Sequence, residues 1–176
     1  GLRELSGSAH YLGLKTLEQY EYNDVTRLLR SGPGVYIQEE DGLGLRPNIG
    51  MRGTGVERSS KITLMEDGIL AAPAPYTAPA AYYFPTVGRM QGVEVRKGSS
   101  QIEYGPYTTG GALNFLSTAI PEKLSGKLDF LMGNFGQQRL HAHAGQSFEQ
   151  VGFVVESYQA SSDGFKELDG GGNTGF

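Results

Sequence analysis

Two histidines set two residues apart, His141 and His143, are the best offer of metal chemistry in this sequence. On a strand that spacing puts both imidazoles on one face, where they could share an ion. No carboxylate or third histidine lies near them in sequence, and the chain has three histidines and no cysteine. The acidic groups offer less. Glu39-Glu40-Asp41 has the charge of a calcium loop without its spaced pattern. Glu66 and Asp67 form a carboxylate pair on a turn, with no identifiable partner. There is no Gly-x-Ser-x-Gly elbow to expose a nucleophile. Gly110-Gly111 is not followed by the Gly-Lys-Ser/Thr of a phosphate loop, so its glycines read as allowing tight turns in a sheet. The expectation is a protein that is not an enzyme and holds no resident metal or cofactor.

Composition narrows the class. The 176 residues carry a formal charge of −4 and no basic stripe, which argues against nucleic acid. Without cysteine there are no disulfides and no thiolate metal sites. Glycine is in excess, 27 residues spread along the whole chain, and stands with 10 Tyr and 8 Phe. That mixture suggests a β-rich protein with many turns and close backbone approaches. No run nears the roughly 20 apolar residues of a membrane helix, although the alternating strands of a β-barrel would show none either. No signal peptide is visible, and Gly1-Leu2-Arg3-Glu4 reads as an interior cut.

The elements follow from periodicity and punctuation. Residues 16–31 predict one short helix, with Leu17, Tyr20, Val25, Leu28 and Leu29 on a face and Asn23 or Asp24 able to cap a second turn. Ser31-Gly32-Pro33-Gly34 ends it. Strands are predicted at about 35–38, 49–53, 61–65, 92–96 and 112–117, gathered in one short sheet, with Glu66-Asp67-Gly68-Ile69 as a hairpin-like turn. Residues 101–104 predict a short helical turn. The loop over 71–85, rich in Ala, Pro and Tyr, is long enough to be functional. After Pro121 the character changes. Leu128, Phe130 and Met132 alternate with Lys127, Asp129 and Leu131, and similar alternation recurs around 139–144 and 153–158. These are strands of about ten residues with turns at Gly133-Asn134-Phe135-Gly136 and Glu149-Gln150, as in an up-and-down membrane barrel or a soluble antiparallel sheet.

The first part of the chain decides between those two. In order it carries Leu28-Leu29-Arg30-Ser31-Gly32-Pro33-Gly34-Val35, Ile49-Gly50-Met51-Arg52-Gly53 and Met65-Glu66-Asp67-Gly68-Ile69. Then come Val93-Glu94-Val95-Arg96-Lys97-Gly98, Tyr104-Gly105-Pro106 and Gly110-Gly111-Ala112-Leu113-Asn114-Phe115. Over about residues 15–121 this series resembles the plug of TonB-dependent outer-membrane receptors. Ala74-Pro75-Tyr76-Thr77-Ala78-Pro79 and Ala119-Ile120-Pro121 make it most similar to the ferric citrate and siderophore type.

The resemblance implies an α+β plug domain over residues 1–121, a small mixed sheet with short helices. Antiparallel strands of a transmembrane β-barrel follow over 122–176, a fragment of a 22-stranded plugged barrel. It implies an outer-membrane transporter for an iron(III) chelate. The partners would be TonB, with ExbB and ExbD behind it, and outer-membrane lipid. A TonB-hooking peptide or a signalling domain would precede the chain. Arg52 and Lys97 match cations that face acidic residues of the barrel wall and hold the plug in register, with Arg96 able to share the role. Ligand would meet the plug loops at 54–60 and 72–83, where Arg58 and Lys61 attract an anionic chelate. Tyr76, Tyr82 and Tyr83 would offer amphipathic rings there. His141 and His143 then read as polar filler facing the barrel lumen. The competing reading, a soluble β-rich carbohydrate-binding module, leaves the motif order and the break at Pro121 unexplained.

Overall fold

The computed structural model describes residues 8–20, 25–38, 47–56, 59, 61–72, 84–105 and 109–167. They fall into two compact units, Gly1–Ser117 and Thr118–Phe176. Among the described residues no helix is long and apolar enough to cross a membrane, which says nothing about crossing by strands.

The first unit is built on a five-stranded sheet of β1 (Ser8–Leu12), β4 (Ile62–Glu66), β5 (Ile69–Ala72), β6 (Gly92–Lys97) and β7 (Gly111–Leu116). Their order is β1-β6-β7-β4-β5; β4 and β7 run parallel and the other neighbours are antiparallel. β4 and β7 are buried along nearly their whole length, which suits their unbroken runs Ile62-Thr63-Leu64-Met65 and Ala112-Leu113-Asn114-Phe115. The β4–β5 turn has both central residues, Asp67 and Gly68, at positive φ (51° and 79°), the conformation an Asp-Gly hairpin turn demands. Leu29, Ile49, Leu64, Val93, Leu113 and Phe115 lie at the centre of the core, and Phe84 meets the Phe115 ring edge-on at 5.4 Å.

Four expectations need correction. β2 (Val35–Gln38) and β3 (Asn48–Met51) do not join the main sheet but pair with each other in a separate two-stranded sheet. β1, unforeseen, forms an edge of the five-stranded sheet on β6. In place of one helix over 16–31 stand α1 (Leu14–Tyr20) and α2 (Val25–Leu29); the capping candidates Asn23 and Asp24 lie outside the described residues. A 3-10 helix, Gly98–Tyr104, covers the expected helical turn. The Gly110-Gly111 pair serves close packing rather than a turn, because Gly111 opens β7 where a Cβ would strike the Met51 thioether and the Arg96 carbonyl.

The second unit is an antiparallel meander of β8 (Ser125–Met132), β9 (Gln138–Ser147) and β10 (Gly152–Ser161), in the order β10-β9-β8. Its two faces differ in chemistry. One carries Leu128 (71% exposed), Phe130 (61%), Met132 (69%) and Val155 (68%), with Leu140, Ala142 and Ala144 in register between them. The other carries Lys127, Asp129, Arg139, His141, His143, Glu156 and Tyr158.

Candidate functional site

The loop after β3 is shaped by its glycines and one serine. Gly50 packs so tightly under the returning loop that a Cβ there would strike the Gly55 carbonyl. Ser59 is buried; its hydroxyl accepts the Ile49 N–H at 2.8 Å and donates to the Pro47 carbonyl at 3.2 Å. The loop thus folds back onto β3 and encloses an apolar recess of about 280 Å³ lined by Tyr36, Gly50, Gly53, Gly55 and Val56. At the turn itself Arg52 is exposed with φ 53°, a left-handed conformation uncommon for arginine. Strain of this kind collects where a side chain must be aimed. Lys61 is exposed at the far end of this loop.

The second expected anchoring residue is placed differently. Lys97 is only 5% exposed, at the end of β6, and its ammonium donates to the Pro33 carbonyl. Burial first, and the charge of Arg52 second, hold its pKa below the usual lysine range. Arg96 is engaged beside it, 3.6 Å from Glu94 and 4.9 Å above the Tyr104 ring. Glu94 also takes a hydrogen bond from the Asn114 amide, whose oxygen accepts the Gly68 N–H at 2.8 Å, so β6, β7 and the β4–β5 turn are tied together. The pair Glu66 and Asp67 gains partners as well: Arg89 bonds Glu66, and Asp67 accepts from Ser117. Arg58, Tyr76, Tyr82 and Tyr83 lie outside the described residues.

In the second unit the fold supplies the carboxylate that the histidines lack in sequence. The β9–β10 register puts Glu156 opposite His143 and diagonal to His141, whose Nε2 lies 2.8 Å from Glu156 Oε1. The imidazoles stand 5.5 Å apart, and Tyr158 meets His141 edge-on. Lys127 and Asp129 pair at 3.0 Å on the same face. Among the described residues no group of three or more His, Asp or Glu can hold a metal ion.

Residues 1–112 match the TonB-dependent Receptor Plug Domain family. The chain belongs to this family. Solved structures similar to it include the ferric citrate transporter FecA in its unliganded form (22% identity, TM-score 0.71). Its similarity covers 92% of this chain and 26% of that one. The ferric yersiniabactin uptake receptor FyuA of Yersinia pestis is similar at 17% identity and TM-score 0.75, over 95% and 26%. The siderophore receptor PirA of Acinetobacter baumannii is similar at 16% and 0.70, over 93% and 26%. The chain therefore spans about a quarter of the length of these proteins.

Members of the TonB-dependent receptor family are outer-membrane proteins, and the second unit has the faces for that place. Its apolar face suits lipid, and its charged face, which carries the two histidines, suits a barrel lumen. Aromatic pairs mark both ends of the sheet: Phe135 with Phe165 at 6.2 Å by the β8–β9 turn, and Phe148 stacked on Phe153 at 6.4 Å by the β9–β10 turn. The ten residues of β9 between them span about 34 Å along the strand, or about 25 Å at barrel tilt, the height of the apolar band. Sequence reasoning missed Tyr36 of the recess and Glu156 of the charged face. The turn already read at Glu149-Gln150 fixes the β9–β10 register closely enough to have found Glu156.

Proposed function

We propose that the chain is the plug and first three barrel strands of an outer-membrane receptor. The receptor takes up an iron(III) chelate of the siderophore or ferric citrate type, with energy delivered through TonB. The observation that carries the proposal is the plug-family match joined directly to a three-stranded meander with one apolar and one charged face. In this reading the plug fills the barrel and the strands that follow it begin the wall. Arg52 and Lys97 face carboxylates of that wall, with Arg96 beside them. Two cations close enough for one to depress the pKa of the other favour an added carboxylate, which would reverse the effect. Arg58, Lys61, Tyr76, Tyr82 and Tyr83 meet the ligand, and the recess beside Arg52 adds an apolar contact. Citrate is the first choice because the quoted plug motifs are most similar to that type.

The test is binding of ferric citrate, ferric hydroxamate and ferric catecholate chelates to the complete receptor, read by tyrosine fluorescence. Saturable, selective binding of one class is expected, with ferric citrate foremost. Binding of none of the three would contradict the iron-chelate reading.

A further inference from the structure

The chain passes from one unit to the other between two adjacent hydroxyl residues, Ser117 and Thr118, and a carboxylate of its own unit holds each. In the first unit Asp67 accepts both the Ser117 amide, at 2.9 Å, and the Ser117 hydroxyl, at 2.5 Å. In the second unit Glu156 Oε1 accepts the Thr118 hydroxyl at 2.5 Å and lies 2.8 Å from His141 Nε2. Thr118 is buried.

The position of Glu156 gives this second contact its meaning. Residues 118–124 have no regular structure and lead into β8, yet Glu156 belongs to β10, the opposite edge of the sheet. The connector therefore starts over β10 and crosses the charged face to reach β8. Two glycines make the track. A Cβ on Gly152 of β10 would meet Ile120 Cγ2 at 2.9 Å, and one on Gly145 of β9 would meet Pro121 Cδ at 2.9 Å. No strand ladder holds this crossing. Glu156 is the carboxylate at its first residue, and His141, packed against Tyr158 and His143, orients that carboxylate as an Nε2–H donor.

We propose that Glu156, oriented by His141, is the anchor that fixes the barrel end of the plug-to-barrel connector. A pull applied to the start of the plug is then stopped at Thr118 and does not peel the connector from the wall or load β8. Glu156 is a positioning residue here, acting through Thr118. The purpose of the anchor rests on the reading of TonB traction; its geometry does not.

The experiment is single-molecule pulling of the complete receptor in a bilayer, with the handle ahead of the plug and the barrel held by the membrane. The wild type is expected to show the plug extending first. A separate last rupture then frees residues 118–124, about 25 Å of contour at about 3.6 Å per residue. Thr118→Val, which keeps the shape and removes the hydroxyl, should merge that step with the end of plug extension, and Thr118→Ser should restore it. Ser117→Ala removes only the hydroxyl half of the plug-side contact, leaving the Ser117 amide on Asp67, and should leave the last step in place. A last step in Thr118→Val with the force and length of the wild type would overturn the anchor. The pulling result does not depend on TonB, so failure of the traction reading would appear separately, as uptake indifferent to TonB.

Discussion

Leu128→Arg tests the lipid-facing assignment of the second unit. Leu128 is 71% exposed on the apolar face of β8, about 10 Å along the strand from Ser125 and about 14 Å from Met132, so it sits near mid-height of the strand. An arginine at mid-depth on the lipid face of a barrel costs about 2–4 kcal/mol, whereas near the interface it costs about 0–1 kcal/mol. The expected loss for Leu128→Arg is therefore about 30- to 900-fold in the folding equilibrium. Met132→Arg on the same face, at the end of β8, should lose less than about 5-fold. Urea titration of the complete receptor folding into lipid vesicles measures both. Small and equal effects at the two positions would mean that this face meets water, and the barrel assignment would fall.

The plug gives three further predictions. Phe115→Ala removes a fully buried ring packed against Phe84 and should destabilise the plug by about 3–5 kcal/mol in denaturant titration, with the charged-face chemistry of the second unit untouched. Asp67→Ala removes two hydrogen bonds to Ser117 and a residue suited to φ 51°, for a loss of about 1–2 kcal/mol; Asp67→Asn, which tolerates the same turn, should lose less. Burial holds the folded pKa of Lys97 below the ordinary lysine value, so the unfolded chain binds more protons between the two values and stability rises with pH across that window. Urea titrations at a series of pH values rising to the ordinary lysine pKa should show this rise in the first unit alone and not in Lys97→Met. In the complete receptor a wall carboxylate would lift the Lys97 pKa and shrink the rise, and an unchanged rise there would count against the anchoring role.

What could be read from sequence was what local pattern encodes. β8, β9 and β10 were legible because period-two alternation over about ten residues separates two faces without knowledge of partners. The β4–β5 turn was legible because Asp-Gly is suited to two successive residues at positive φ. β1 was not, since Ser8-Ala9-His10-Tyr11-Leu12 is short, does not alternate, and is defined only by a partner strand some 85 residues away. The separation of β2 and β3 from the main sheet was hidden for the same reason: pairing is a tertiary choice. Among the anchoring candidates, residue type suggested Arg52 and Lys97 alike. Only the fold reveals that one is an exposed, left-handed turn residue and the other a buried lysine on the Pro33 carbonyl.

We propose above that this plug and barrel start belong to a receptor that moves an iron(III) chelate under TonB traction. Uptake of radiolabelled ferric citrate into cells carrying the complete receptor, with TonB present or deleted, tests it most directly. Saturable uptake is expected that disappears without TonB while surface binding of the chelate persists. Uptake that continues undiminished without TonB, or chelate neither bound nor taken up, would contradict it.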